Sequence, residues 1–186
     1  MSNTDIQKII HKTLTSIWEG DIPKDYRNRW LLKEDTLKNA LYFHFRNQLG
    51  TLLDENNIRI FTEFTDAEFK GSSYRPDIVI AKVDMDNPVK YWGNAVTDCL
   101  AVIEIKFKAD FQSYEEIEAD YEKLRHYADD LDVAGHLYMA TIWEYEDDET
   151  TWIRKNAAWA KGKVTELNAS YERGSNQKMR FYVYNH

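Results

Sequence analysis

Apolar positions recur along this chain in two rhythms. Between residues 4 and 18, Ile6, Ile9, Ile10, Leu14, Ile17 and Trp18 fall three and four apart, the period of an amphipathic helix, with Asn3 or Thr4 in front as a cap. Its apolar stripe either packs on the core or supplies a dimer contact. Residues 20–28, with Pro23 and mixed charge, read as a connector. A second helix is expected over residues 34–49, ended by Gly50. The rhythm then shortens. Residues 58–64, 74–80 and 99–107 are Val- and Ile-rich runs bounded by polar or turn-forming residues, which suit a pleated surface. Helical spacing returns at Tyr114, Ile117, Tyr121, Leu124 and Leu131, and residues 136–143 form the next expected strand. Residues 152–161, 165–171 and 179–184 read as an appended helix and hairpin, turning at Gly174, Ser175 and Asn176.

The fold class this predicts is α/β (α+β): a single domain with an N-terminal helix and connector at 1–30, a core at 34–143 in the order helix, three strands, helix, strand, and an extension at 151–186. The fourth strand, entered after a helix, is expected to pair in parallel through a crossover connection. At 186 residues the chain is long enough to bury a core. It has no apolar run long enough to span a membrane and no basic-then-apolar leader at its start, so a cytoplasmic protein is expected. The lone Cys99 heads an apolar strand and reads as a small core residue, and the five histidines show no zinc-like spacing.

Two of the strands carry charge where apolar residues are expected. Within residues 99–107, Glu104 and Lys106 face one way while Ile103, Ile105 and Phe107 face the other, and their backbone positions lie roughly 6.6–6.8 Å apart. Asp77 follows Pro76 at the entry of the preceding strand. If the two strands pair, two carboxylates and a lysine meet at one point. Like charges about 4 Å apart repel by roughly 4 kcal/mol at an effective dielectric near 20, a cost that a divalent cation removes. Mg²⁺ takes oxygen ligands and keeps several waters, which suits one or two carboxylates plus phosphate oxygens. Alone, the alternation Ile-Glu-Ile-Lys is an ordinary half-solvated strand, and Arg75-Pro76-Asp77 an ordinary turn.

Taken together and in this order, Pro76-Asp77 and Glu104-Ile105-Lys106 resemble the signature of the PD-(D/E)xK nuclease superfamily. The resemblance covers residues 34–143 and implies a restriction-endonuclease-like αβββαβ core and a Mg²⁺-dependent phosphodiesterase, with Mn²⁺ able to substitute. It implies that Asp77 and Glu104 hold the metal, with the Ile105 carbonyl as a further ligand, and that Lys106 assists the attacking water. It also matches Glu34, on the core-facing side of the second helix, to an additional acid; complementing the positive end of the helix dipole accounts for Glu34 equally well. An acid at Glu63 and a phosphate-directed Lys123 follow from the same resemblance, against an exposed strand end and a surface salt bridge with Asp120. The expected substrate is DNA rather than RNA. The rival class is a binding module that keeps the nuclease fold and contacts nucleic acid, a partner protein or a second copy of itself.

Charge distribution decides where such a partner would lie. The net charge is −8, but residues 109–150 hold 14 acidic and 2 basic residues, whereas residues 151–186 hold 7 basic and 2 acidic. The acidic stretch disfavours a phosphate backbone and the basic one favours it. Arg154 and Lys155 in that segment, and Lys90 beside Tyr91 and Trp92 in the loop 83–98, are therefore candidate nucleic-acid contacts. Ordinary surface charge and loop packing account for them as readily.

Overall fold

The computed structural model describes residues 1–65, 75–86, 95–108, 115–129, 135–147, 151–154, 156–174 and 178–186, the last two residues of 135–147 by backbone alone. Within these, three helices and six strands follow the order α1 (Asn3–Arg27), α2 (Glu34–Glu55), β1 (Ile58–Thr62), β2 (Ile78–Val83), β3 (Val96–Lys108), α3 (Glu115–Asp129), β4 (His136–Asp147), β5 (Val164–Glu172) and β6 (Met179–Asn185). The strands form one mixed sheet whose spatial order equals their chain order. β1, β2 and β3 are antiparallel neighbours, β4 pairs in parallel with β3 and β5 with β4, and β6 returns antiparallel. The parallel β3–β4 pair is the one expected from the intervening helix.

Alternation along the strands divides the core in two. Ile78, Ile80, Ile103, Ile105, Ala140 and Leu167 join the buried stripes of α1 and α2 on one face of the sheet. Val79, Val102, Met139 and Val164 join Ile117, Tyr121, Leu124 and Tyr127 of α3 on the other. Burial on both faces explains why the central strands read as near-continuous apolar runs. It also makes each charged residue among them conspicuous.

Three expected boundaries move, each because packing outweighs local propensity. α1 is capped by Ser2 rather than Asn3 or Thr4, and runs through the expected connector, with Pro23 inside it and both Ile22 and Pro23 buried. α2 runs through Gly50, because Leu49 and Leu53 continue its buried stripe. The third correction concerns the extension. The described part of residues 152–161 forms turns, not a helix, and β5 and β6 are integral strands of the sheet rather than an appended hairpin. Buried Val164, Leu167 and Ala169 account for that, since β5 brings apolar side chains to both cores.

Candidate active site

Antiparallel pairing sets Ile78 opposite Ile103, so Asp77, one residue before β2, stands opposite Glu104. Side chains directly across such a pair have Cβ atoms about 4.5–5.5 Å apart. The Asp77 carboxylate is fixed at both oxygens: Oδ2 accepts from the Ile105 backbone N–H at 2.9 Å, and Oδ1 faces the Lys38 ammonium at 3.3 Å. Lys38 is also paired with Glu63, whose other oxygen takes Arg75 at 2.7 Å. Glu63 has φ 53°, a left-handed backbone that non-glycine residues rarely adopt, held as its N–H donates to the Asp77 carbonyl at 3.0 Å.

Glu104 is fully buried. Its Oε1 accepts from the Tyr127 hydroxyl at 3.0 Å, while Oε2 has no hydrogen-bond partner among the described residues and faces Lys123 Nζ at 3.6 Å. Burial, with Asp77 and Asp120 adding to it against the pull of Lys123 and Tyr127, pushes its carboxyl up to about 8. Lys106 lies two residues on, on the same face, and reaches Asp120 at 2.9 Å and Glu34 at 3.1 Å. Desolvation alone would lower the Lys106 ammonium, but Asp120 and Glu34 reverse this and hold it above the usual lysine range. Burial raises the Glu34 carboxyl, with Lys106 opposing. Asp120, 3% exposed, pairs also with Lys123 at 2.6 Å.

Most of the expected residues therefore lie together: Asp77, Glu104, Lys106, Glu34 and Lys123 belong to one linked charge cluster between β2, β3, α2 and α3. Glu34 sits both in the first turn of α2 and against Lys106, so its dipole reading and its site reading describe the same side chain. The Lys123–Asp120 pair is present but is set against buried groups rather than on the surface. Arg154 is exposed and joins none of these pairs, while Lys90 and Lys155 fall outside the described residues. Lys38, Asp120 and Tyr127 are the additions. Lys38 lies four residues after Glu34 on the Leu37–Leu41 stripe, and a lysine on an apolar stripe is the signal that marks it.

The donor set fits a sparsely coordinated hard cation. Two acidic side chains stand at neighbouring positions of adjacent strands, one of them with a buried oxygen that accepts no hydrogen bond among the described residues, and Mg²⁺ satisfies the rest of its shell with water. No cluster of three or more His, Cys, Asp or Glu side chains that could hold a metal occurs among the described residues, so the pair would carry the protein's share. Ile105 directs its side chain into the opposite core and its N–H to Asp77. No helix of the described residues is long and apolar enough to cross a membrane. Compared with models of known protein families and with curated proteins, the sequence matches none.

Proposed function

We propose that the chain is a metal-dependent nuclease of the PD-(D/E)xK kind, hydrolysing phosphodiester bonds in DNA with Mg²⁺, for which Mn²⁺ substitutes. The observation that carries this reading is the placement of Asp77 and Glu104 across one antiparallel pair with Lys106 beside them on the same sheet face. The order α2-β1-β2-β3-α3-β4 supports it as the αβββαβ core of restriction-endonuclease-like proteins. Asp77 and Glu104 would hold the ion, which supplies Lewis-acid stabilisation of charge building on the phosphoryl oxygens. The chain's own groups do the rest. Ile105 N–H and Lys38 orient Asp77, and Tyr127 orients Glu104. Asp120 and Glu34 hold the Lys106 head group as a cation, so it orients the attacking water and stabilises developing negative charge.

Lys38 favours one rival. An ammonium set against Asp77 is an internal counter-ion, as a non-catalytic binding module built on the same fold would carry. Incubating supercoiled plasmid and circular single-stranded DNA with the protein, with and without Mg²⁺, separates the two. Cleavage should require the ion, and Asp77→Ala should abolish it while leaving the far-ultraviolet spectrum unchanged. If Asp77→Ala cuts at the wild-type rate, the assignment fails.

A further inference from the structure

A recess lies on the face of the sheet covered by α1 and α2, the face opposite that carrying Glu104 and Lys106. It encloses about 540 Å³ between the C-terminal turn of α1, the segment before α2, and the β5–β6 hairpin. That volume is within the range of small-ligand sites. Its rim carries Arg27, Arg29 and Lys178, all exposed, and none of these three head groups has an ion pair among the described residues. In a chain of net charge −8, three cations around one opening, without an ion pair among the described residues, mark a place for an anion.

The interior has a different character. Tyr26 donates to Glu144 Oε1 at 2.6 Å and stands 2.9 Å from the Tyr171 hydroxyl, and its ring meets Phe181 edge-on. Burial and these partners keep the Tyr26 hydroxyl protonated. A carboxylate inside the recess repels a phosphate, so the anion belongs on the rim. The interior instead suits a flat, partly apolar group that offers N–H donors to Glu144 and a face to the aromatic rings. A nucleotide divides its chemistry in this way.

The recess is firmly tied to the candidate active site. Leu31 lines it, and Glu34, three residues on and so at most about 10 Å away along the backbone, reaches Lys106 at 3.1 Å. The connection is rigid, because Thr36 Oγ1 accepts from the Leu32 and Lys33 N–H groups and donates to the Lys33 carbonyl. Arg29 is held at φ 60° by its own N–H to the Tyr26 carbonyl. We propose that this recess binds one unpaired base of a nucleic-acid strand, with the flanking phosphates on Arg27, Arg29 and Lys178, and that it anchors single-stranded substrate beside the Lys106 cluster. The proposal rests on the nuclease reading for its purpose, though not for its chemistry. Glu144 sets the preference: cytosine offers an exocyclic amine to a carboxylate where thymine offers a carbonyl.

Fluorescence anisotropy with labelled oligo(dC) and oligo(dT) in EDTA tests this without cleavage. Three phosphate contacts on a single strand give a slope of log affinity against log salt of about −2. Arg27→Ala/Arg29→Ala should reduce that slope by about 1.4 and weaken oligo(dC) binding at least tenfold. Wild type should favour oligo(dC) over oligo(dT), and Glu144→Gln should erase that preference. Unchanged affinity and slope in the double arginine variant would overturn the proposal, as it would if the rim served an acidic protein instead. So would equal binding of both oligonucleotides by wild type. Strand binding without cleavage removes the nuclease reading and leaves the subsite, while cleavage with binding indifferent to Arg27 and Arg29 removes the subsite alone.

Discussion

Glu104 concentrates the energetics of the site in one carboxyl group. Its folded value of about 8 stands above the ordinary 4.5, so between those limits the folded state keeps a proton that the unfolded chain releases. The sign follows directly. The contribution is fully favourable below pH 4.5, and stability declines by up to about 1.4 kcal/mol per pH unit until the folded group itself ionises near 8. Glu104→Gln removes the titration. In EDTA, urea unfolding of wild type and variant from pH 5 to 8.5 should therefore show the variant gaining on wild type by a few kcal/mol as pH rises. A difference constant across that range would contradict the assignment. Asp120 works through its neighbours: Asp120→Asn keeps the side-chain volume but loosens Lys106 and Lys123, so under the proposed nuclease activity kcat should fall by tenfold or more while KM changes little.

At the scale of elements, side-chain rhythm located the helices and strands, but their ends were decided by contacts that rhythm does not encode. Gly50 carries the residue type of a helix stop, yet Leu49 and Leu53 pull the chain onward into the core. Pro23 similarly looked like a break and is buried inside α1. Gly50→Ala, whose added Cβ meets nothing within 4 Å, should stabilise by about 0.5–1 kcal/mol. Gly135, just before β4, is the opposite case. A Cβ there would meet the Leu100 carbonyl carbon at 2.8 Å and the Ala101 nitrogen at 2.9 Å, both backbone atoms. Gly135→Ala should cost about 1–3 kcal/mol, since β3 and β4 cannot separate without disturbing their parallel pairing. Chemical denaturation of the two variants side by side checks both signs. The candidate cluster was legible only in part. Asp77, Glu104 and Lys106 stand out as charges in apolar strands and Lys38 as a lysine on an apolar stripe, whereas Asp120 acquires meaning only once α3 is laid on the sheet.

At the scale of the whole molecule, the two fully buried carboxyl groups among the described residues, Glu104 and Glu166, both lie in the sheet and tie it to distant parts of the chain. Glu166, fully buried in β5, accepts from the Tyr121 hydroxyl of α3, the backbone N–H groups of Trp152 and Ile153, the Asn168 amide, and bonds His186 in the last residue. One carboxylate thus joins α3, the turns after β4 and the residue that follows β6. Glu166→Ala strands those donors in the interior and should cost about 3–5 kcal/mol in urea unfolding. The same packing sets Asp77 and Glu104 at neighbouring positions of adjacent strands, and on that pair the functional account stands. Calorimetric titration of Mn²⁺ into wild type and Asp77→Ala at pH 8 tests it most directly. The account predicts saturable binding of an ion at millimolar concentration or below by wild type, and its loss in the variant. An absence of heat from wild type, or an unchanged isotherm in Asp77→Ala, would contradict it.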